Sequence, residues 1–315
     1  MNWTKLGMVY VARGERDWAQ THARVPTSIM LDEDRVRVFA GFLDAGKVGR
    51  VGFVDVDARD PLRVLRVSER PVLDIGQPGA FDDNGVQPSC VVRDGDRLWL
   101  YYTGWQLGVK VRYYMFDGLA ASDDGGESFT RQRRVPVLDR SDEELFVRTI
   151  PHVLRDGARW RMWYIAGDRW IEAGGKQLPT YNMRYMESGD LARWGERGEV
   201  CMDTEGEDEF GFGRPFVVVG GGLHRMWYSI RTRSKGYRLG YAESRDGLAW
   251  ARRDAEVGID VSADGWDSQM LCFACVQPTK YGTYLFYNGN NYGETGFGVA
   301  VLGADDARKI STDGE

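Results

Sequence analysis

The sequence predicts an all-β fold, a five-bladed β-propeller, from three observations. An aromatic, strand-like segment recurs at nearly constant spacing, a proline-marked strand runs ahead of four of its copies, and the 315 residues hold no convincing amphipathic helix. The aromatic segments are VRVFAGF around Phe39, LWLYYTGW around Tyr102, RMWYIAGD around Tyr164, RMWYSIRT around Tyr228 and YLFYNGNN around Tyr287, at spacings of 63, 62, 64 and 59 residues. Pro26, Pro88, Pro151 and Pro215 open the preceding strands, and GRVGFVDVD, DGLAASDD, YNMRYMES, RLGYAESRD and GFGVAVL supply a third strand after each aromatic one. A unit of roughly 60 residues with three or four strands is a propeller blade, whereas β-helix coils are far shorter and lack hairpin turns.

The blades are expected at residues 25–70, 86–135, 149–198, 213–255 and 271–302, all in one domain, with a polar tail at 303–315. The N-terminal strand LGMVYVA is expected to complete the last of them. Turns of the pattern Ser, x, Asp, Gly-rich, aromatic close the third strands at Ser122–Phe129 and Ser244–Trp250, and in degenerate form at Ser188–Trp194. Asp and Gly serve the hairpin there, and the closing aromatic packs beneath it.

Forty-one Lys and Arg against 47 Asp and Glu leave a formal charge of −6, with the cations scattered. That excludes a duplex-binding protein, which concentrates basic residues on phosphates. No apolar run reaches the length of about 18 residues that a membrane helix needs. MNWTKLGMVY has neither a basic nor an apolar leader region. Cys90, Cys201, Cys272 and Cys275 lie in apolar surroundings, and the CxxC at Cys272–Cys275 has no second pair and no histidines at zinc spacing. Reduced thiols in a cytoplasmic setting are expected.

In a propeller the innermost strand of each blade begins near the central channel, so the segment leading into it points to one cavity. These lead-ins carry Asp82 and Asp83; Asp142, Glu143, Glu144 and Arg148; Glu207, Asp208, Glu209 and Arg214; and Asp264 and Asp267. The first instead carries His22 and Arg24. Converging carboxylates suit glycosidic chemistry, in which one acts as base or nucleophile and another, kept protonated, donates to the leaving oxygen. Asp83 is the candidate base or nucleophile, Glu209 the acid and Glu144 the group that tunes it. His22, Arg24, Asp82, Trp105, Arg148, Arg214, Arg231, Asp267 and Gln269 are the candidate substrate-binding residues, since guanidinium forks match carboxylate or phosphate and an indole can stack on a sugar. The bland alternative is an acidic surface kept in solution, with arginines balancing its charge and the aromatics in the core. No GxGxxG, GxxxxGK[ST], GxSxG or HExxH motif is present, and no metal ligand set is assigned. No cofactor is expected; a calcium ion in the channel is compatible with the carboxylates, although no DxDxDG loop accompanies them.

FDDNGVQPSCVV, LWLYYTGWQ, RMWYSIRTRSKGYRLGYAESRDGLAW, GWDSQM and YLFYNGNNYGETGFGVAVL together resemble the five-bladed β-propeller glycosidase superfamily. The likeness is nearest to glycoside hydrolase family 43-like proteins and predicted bacterial glycosylases, and more distant to families 32, 62, 117 and 130. It implies the same fold and an acidic residue near the inner strand of successive blades, a placement that Asp83, Glu144 and Glu209 match. The first blade departs from it, with His22 and Arg24 where an Asp-Pro or Asn-Asp-Pro-Asn-Gly opening would supply the base. Gln269 stands where the resemblance implies an acid, and glutamine cannot exchange a proton as a carboxyl can. The leading expectation is carboxylate acid/base catalysis at the anomeric centre of a small, anionic or phosphorylated sugar. The alternatives are a non-hydrolytic enzyme, performing elimination, cyclisation or rearrangement of a sugar-derived metabolite, and a non-catalytic sugar-binding propeller. Neither nucleic acid nor membrane is expected as a partner, and the sequence leaves the oligomeric state open.

Overall fold

The computed structural model describes residues 1–167 and 169–310 of a chain that is nearly all β. After β1 (Trp3–Tyr10) come β2 (Thr21–Asp32), β3 (Arg35–Leu43), β4 (Gly49–Asp57) and β5 (Val64–Val67), an antiparallel first unit. The second unit is β6 (Val86–Asp94), β7 (Arg97–Leu107), β8 (Tyr113–Ser122) and β9 (Thr130–Arg131). The third opens with β10 (Val147–Asp156) and β11 (Arg159–Gly167), carries an inserted hairpin of β12 (Trp170–Ala173) and β13 (Lys176–Pro179), and ends with β14 (Asn182–Ser188) and β15 (Glu199–Met202). The fourth is β16 (Glu209–Gly220), β17 (Leu223–Thr232), β18 (Arg238–Ser244) and β19 (Ala251–Arg252). The fifth has β20 (Cys272–Thr279), β21 (Gly282–Asn288) and β22 (Phe297–Leu302), and its fourth strand is β1, which pairs antiparallel with β22. A single parallel contact of Arg148 with Phe116 links the second and third units into one sheet.

The repeated aromatics Phe39, Tyr102, Tyr164, Tyr228 and Tyr287 are all fully buried on the second strands. Glycine on the third strand makes room for two of them, Tyr102 and Tyr228. Gly118 faces Tyr102 and Gly240 faces Tyr228, and a Cβ at either glycine would come within 2.4 Å of the facing ring. The turn aromatics pack as their pattern requires: Phe129 lies edge-on to Phe39 at 5.4 Å, and Trp250 donates its ring N–H to the carbonyl of Gly247 at 2.9 Å.

Two features differ from the sequence reading. The repeated prolines do not open their strands but sit inside them, at register shifts between Arg24 and Thr27, Pro88 and Cys90, Thr149 and His152, and Gly213 and Phe216. Val25, Ile150 and Arg214, each just before its proline, have positive φ values of 54°, 51° and 26°. A residue without an N–H is tolerated where a bulge has already broken the ladder. The supposed polar tail forms a short helix, Ala304–Ile310, whose Ile310 is buried with Val218 and Leu285, while residues 311–315 lie outside the described residues.

Candidate functional site

Two of the recurring acids, Glu144 and Asp267, answer to recurring tyrosines. A buried phenol needs a hydrogen-bond partner, and a carboxylate that supplies one in the interior needs a cation. Tyr164 donates to Glu144 Oε1 and Oε2 at 2.7 and 2.8 Å, and Glu144 also pairs with Arg148 at 2.5 Å and Arg184 at 3.1 Å and accepts the Gly198 N–H at 2.9 Å. Tyr228 donates to Asp254 at 2.6 Å, and Arg252 bridges Asp254 and Glu209, at 2.7 Å to each. Tyr287 donates to Asp267 at 3.0 Å, with Lys5 at 2.7 Å. Asp82 pairs with Arg131, whose guanidinium lies 5.5 Å from the centre of the Tyr102 ring. The first unit has Phe39, which has no hydroxyl to hold.

This corrects the proposed acid cluster. Glu144, Asp82 and Asp267 are buried ion-pair members, and Glu144 and Asp267 hold tyrosines within single units. Arg148 is spent on Glu144 and on the carbonyls of Asp139 and Gly195, at 2.9 and 2.6 Å. Asp83 accepts the Gly79 N–H at 2.8 Å within its own turn. Burial alone would raise the Glu209 carboxyl, but hydrogen bonds from Arg252 and the Glu205 N–H hold it below its ordinary range, the reverse of what a proton donor needs. Among the described residues the three acids share no partner, and none of the cavities described below is lined by more than one of them.

What the five units do bring together is a cavity of about 500 Å³ lined by the first strand of each: Arg24 from β2, Gln87 from β6, Ile150 from β10, Phe212 and Gly213 from β16, and Phe273 from β20. Trp105, Tyr113, Tyr181, Phe210, Tyr237 and Tyr292 form its aromatic wall, and the inserted hairpin adds Leu178. Arg24, Arg112, Arg231, Arg233 and Lys235 face it, and no Asp or Glu does among the described residues. The Arg24 guanidinium, 5.6 Å from the Trp105 ring centre, makes no hydrogen bond or ion pair among the described residues, and its Nε is buried without a partner. Burial lowers its pKa, yet a guanidinium remains charged at neutral pH. Arg231, 4% exposed, lies 4.5 and 4.4 Å from the Tyr181 and Phe210 ring centres and donates to the Pro179 carbonyl at 2.8 Å, with Nε unpartnered.

Two smaller cavities adjoin this one. A crevice of about 250 Å³ shares Arg24, Gln87 and Trp105 with it, and a polar cavity of about 420 Å³ shares Tyr181, Phe210 and Arg233 and is lined also by Asp203 and Glu209.

Of the residues named from the sequence, Arg24, Trp105 and Arg231 therefore lie in the central cavity. His22 is buried beside it, its Nδ1 2.9 Å from Thr21 Oγ1, and burial together with Arg24 pushes its pKa down to about 4, so the ring is neutral. Arg214 is 1% exposed and turned away from the central cavity, donating to the carbonyls of Pro26 and Phe273 and to Thr27 Oγ1. Gln269 is exposed, and its N–H donates to Asn290 Oδ1 at 2.7 Å. Gln87, Tyr113, Tyr181 and Tyr237 were missed. A signal for the first existed, because the cavity-facing positions Arg24, Gln87, Ile150 and Gly213 stand one or two residues before each repeated proline.

Among the described residues, no three His, Cys, Asp or Glu side chains group as ligands for a metal ion. Arg214 occupies carbonyls of the inner strands with a guanidinium, so the donor set does not fit a calcium ion there.

The chain is 37% identical over 302 residues to the uncharacterized protein Rv1502 of Mycobacterium tuberculosis H37Rv, covering 96% of this chain and 99% of the relative, and equally to protein MT1551 of strain CDC 1551. No family model matches it. Among solved structures, a thermostable family-43 glycoside hydrolase superposes with a TM-score of 0.67 at 17% identity, covering 94% of this protein and 94% of the hydrolase. Another glycoside hydrolase superposes with a TM-score of 0.72 at 19% identity, covering 95% of this protein and 92% of the hydrolase. The fold is that of glycoside hydrolases.

Proposed function

The chain belongs to the family of the Mycobacterium tuberculosis protein Rv1502, and from that premise and the glycoside hydrolase fold we propose that it is a glycosidase-like enzyme whose substrate is a small anionic carbohydrate. Its five units are read as the blades of a propeller, because the first strand of each contributes to one cavity. The observation that carries the substrate class is Arg24, a guanidinium deep in an aromatic cavity that no described Asp or Glu lines. Arg24 is half-buried with its Nε inaccessible and unpartnered, and an anionic ligand supplies the missing countercharge. The indole of Trp105 and the surrounding phenols offer faces and donors suited to a sugar ring.

Calorimetric titration with glucuronate, glucose 6-phosphate and glucose tests this reading. The anionic sugars are expected to bind and glucose to bind at least roughly tenfold more weakly, with Arg24→Gln erasing the difference. Equal affinity for all three sugars, or a preference that survives Arg24→Gln, would sink it.

A second reading concerns the reaction. Hydrolysis by a carboxylate pair needs two carboxyls across the scissile bond, about 5–9.5 Å apart. The described lining residues of the cavity offer none, which favours a non-hydrolytic step such as elimination or rearrangement. Burial raises the Tyr181 and Tyr237 phenols, so both stay protonated and donate hydrogen bonds to oxygen that gains negative charge. Turnover in oxygen-18 water distinguishes the two: a label on the anomeric carbon of the product refutes the non-hydrolytic step.

A further inference from the structure

We propose that the 250 Å³ crevice between the first and second units is a phosphate subsite, and that the substrate is a sugar phosphate whose ring reaches from it into the aromatic cavity. The proposal rests on the anionic carbohydrate reading above and adds the identity of the anion and its place.

Arg24, Gln87 and Trp105 form the wall common to crevice and cavity, so a ligand anchored at Arg24 contacts both. Lys47 lines the crevice from the turn after β3 and makes no ion pair among the described residues. Its backbone is held at φ 65°, where its N–H donates to the Asp44 carbonyl at 3.0 Å and Asp44 Oδ1 accepts from Gly46 and Val48 at 2.8 and 3.0 Å. The charge of Asp44 is taken by Arg50 at 2.7 Å, leaving that of Lys47 for a ligand.

The crevice has the room a phosphate needs because glycine lines it. Gly49 and Gly85 meet backbone to backbone across the two units, and a Cβ would lie 3.0 Å from the Val86 carbonyl at Gly49 and 3.1 Å from the Gly49 nitrogen at Gly85. Any larger residue would wedge the units apart or fill the space.

Two features select a phosphate over a carboxylate, and a third selects a sugar ester over free phosphate. A carboxylate is satisfied by one guanidinium fork, whereas here a guanidinium, an ammonium and the Asn84 amide surround a small volume from different elements, which suits a tetrahedral anion. Two unpaired cations match the charge of roughly −1.5 to −2 on a phosphate monoester at neutral pH. Finally, Gln87 is 4% exposed and its Oε1 has no partner, so the ligand must also bring a donor, which a sugar hydroxyl supplies and inorganic phosphate largely lacks.

The experiment is a titration of the full chain with glucose 1-phosphate, followed by phosphorus NMR and calorimetry, with glucuronate as the carboxylate probe. Glucose 1-phosphate is expected to bind roughly tenfold or more tightly than glucuronate. Lys47 is exposed, so Lys47→Ala keeps the fold, which its melting curve checks. That variant should weaken the phosphate ester roughly tenfold, leave glucuronate within about threefold, and be rescued by Lys47→Arg. Glucuronate binding that depends on Arg24, without a phosphate preference, overturns the subsite and leaves the anionic reading standing. Failure of both probes overturns both, and a phosphate preference indifferent to Lys47 overturns the placement.

Discussion

Glu144 shows how one side chain can be mistaken for a catalyst and what would reveal its role. Its oxygens take hydrogen bonds from Tyr164 and Gly198 and pair with Arg148 and Arg184, all in the interior. Glu144→Gln leaves two buried guanidinium groups around a neutral amide and is expected to cost about 3–5 kcal/mol in urea unfolding, with sugar affinity unchanged. Asp117 gives the pH counterpart. Burial pushes its carboxyl up to about 6 despite hydrogen bonds from Thr149 at 2.6 Å, Thr103 at 2.9 Å and the Ile150 N–H at 3.0 Å, and Oδ2 stays unpartnered. Between the ordinary aspartate value near 4 and about 6 the folded chain therefore keeps a proton that the unfolded chain releases, so its contribution to stability falls as pH rises through that window. Asp117→Asn should remove that slope from a plot of urea midpoint against pH. The acids were legible in the sequence as a repeat, but their function was not, because a carboxylate beside a tyrosine hydroxyl and one beside a substrate look alike until the partner is seen.

At the scale of the element, the second and third strands of the second and fourth units fit because a ring faces a glycine. Gly240→Ala places a methyl 2.4 Å from the Tyr228 ring and is expected to lower stability by about 1–3 kcal/mol, read as a drop in melting temperature. The inserted β12–β13 hairpin has the opposite profile. It contributes Leu178 to the cavity wall and the Pro179 carbonyl that holds Arg231, so replacing residues 170–178 with a short glycine link should weaken ligand binding and leave the melting curve nearly unchanged. Strand identity was readable from aromatic content and repeat spacing. Strand position was not: each proline looked like a beginning, and the bulge that tolerates it is set by how the first and second strands register.

For the whole molecule, the N-terminal strand β1 completes the fifth sheet through β22, and Lys5 from it neutralises Asp267. Deleting residues 1–11 strips both the partner of an edge strand and the counterion of a buried acid, and is expected to abolish a single cooperative transition in circular dichroism and to produce aggregates on gel filtration. The charge distribution also belongs to this scale. A chain of net charge −6 surrounds a cavity whose charged lining is cationic among the described residues, so binding of an anionic sugar should weaken as ionic strength rises. The sequence by itself determined the repeat, the strands within it and the all-β class, because these follow from spacing and aromatic content along the chain. Only the tertiary structure decided that arginine, glutamine and aromatic rings, and not the acids, face the common cavity. Side chains alternate in direction along a strand, so a one-residue bulge exchanges the faces, and the acids are drawn into the sheets by buried phenols that no local pattern identifies as their partners.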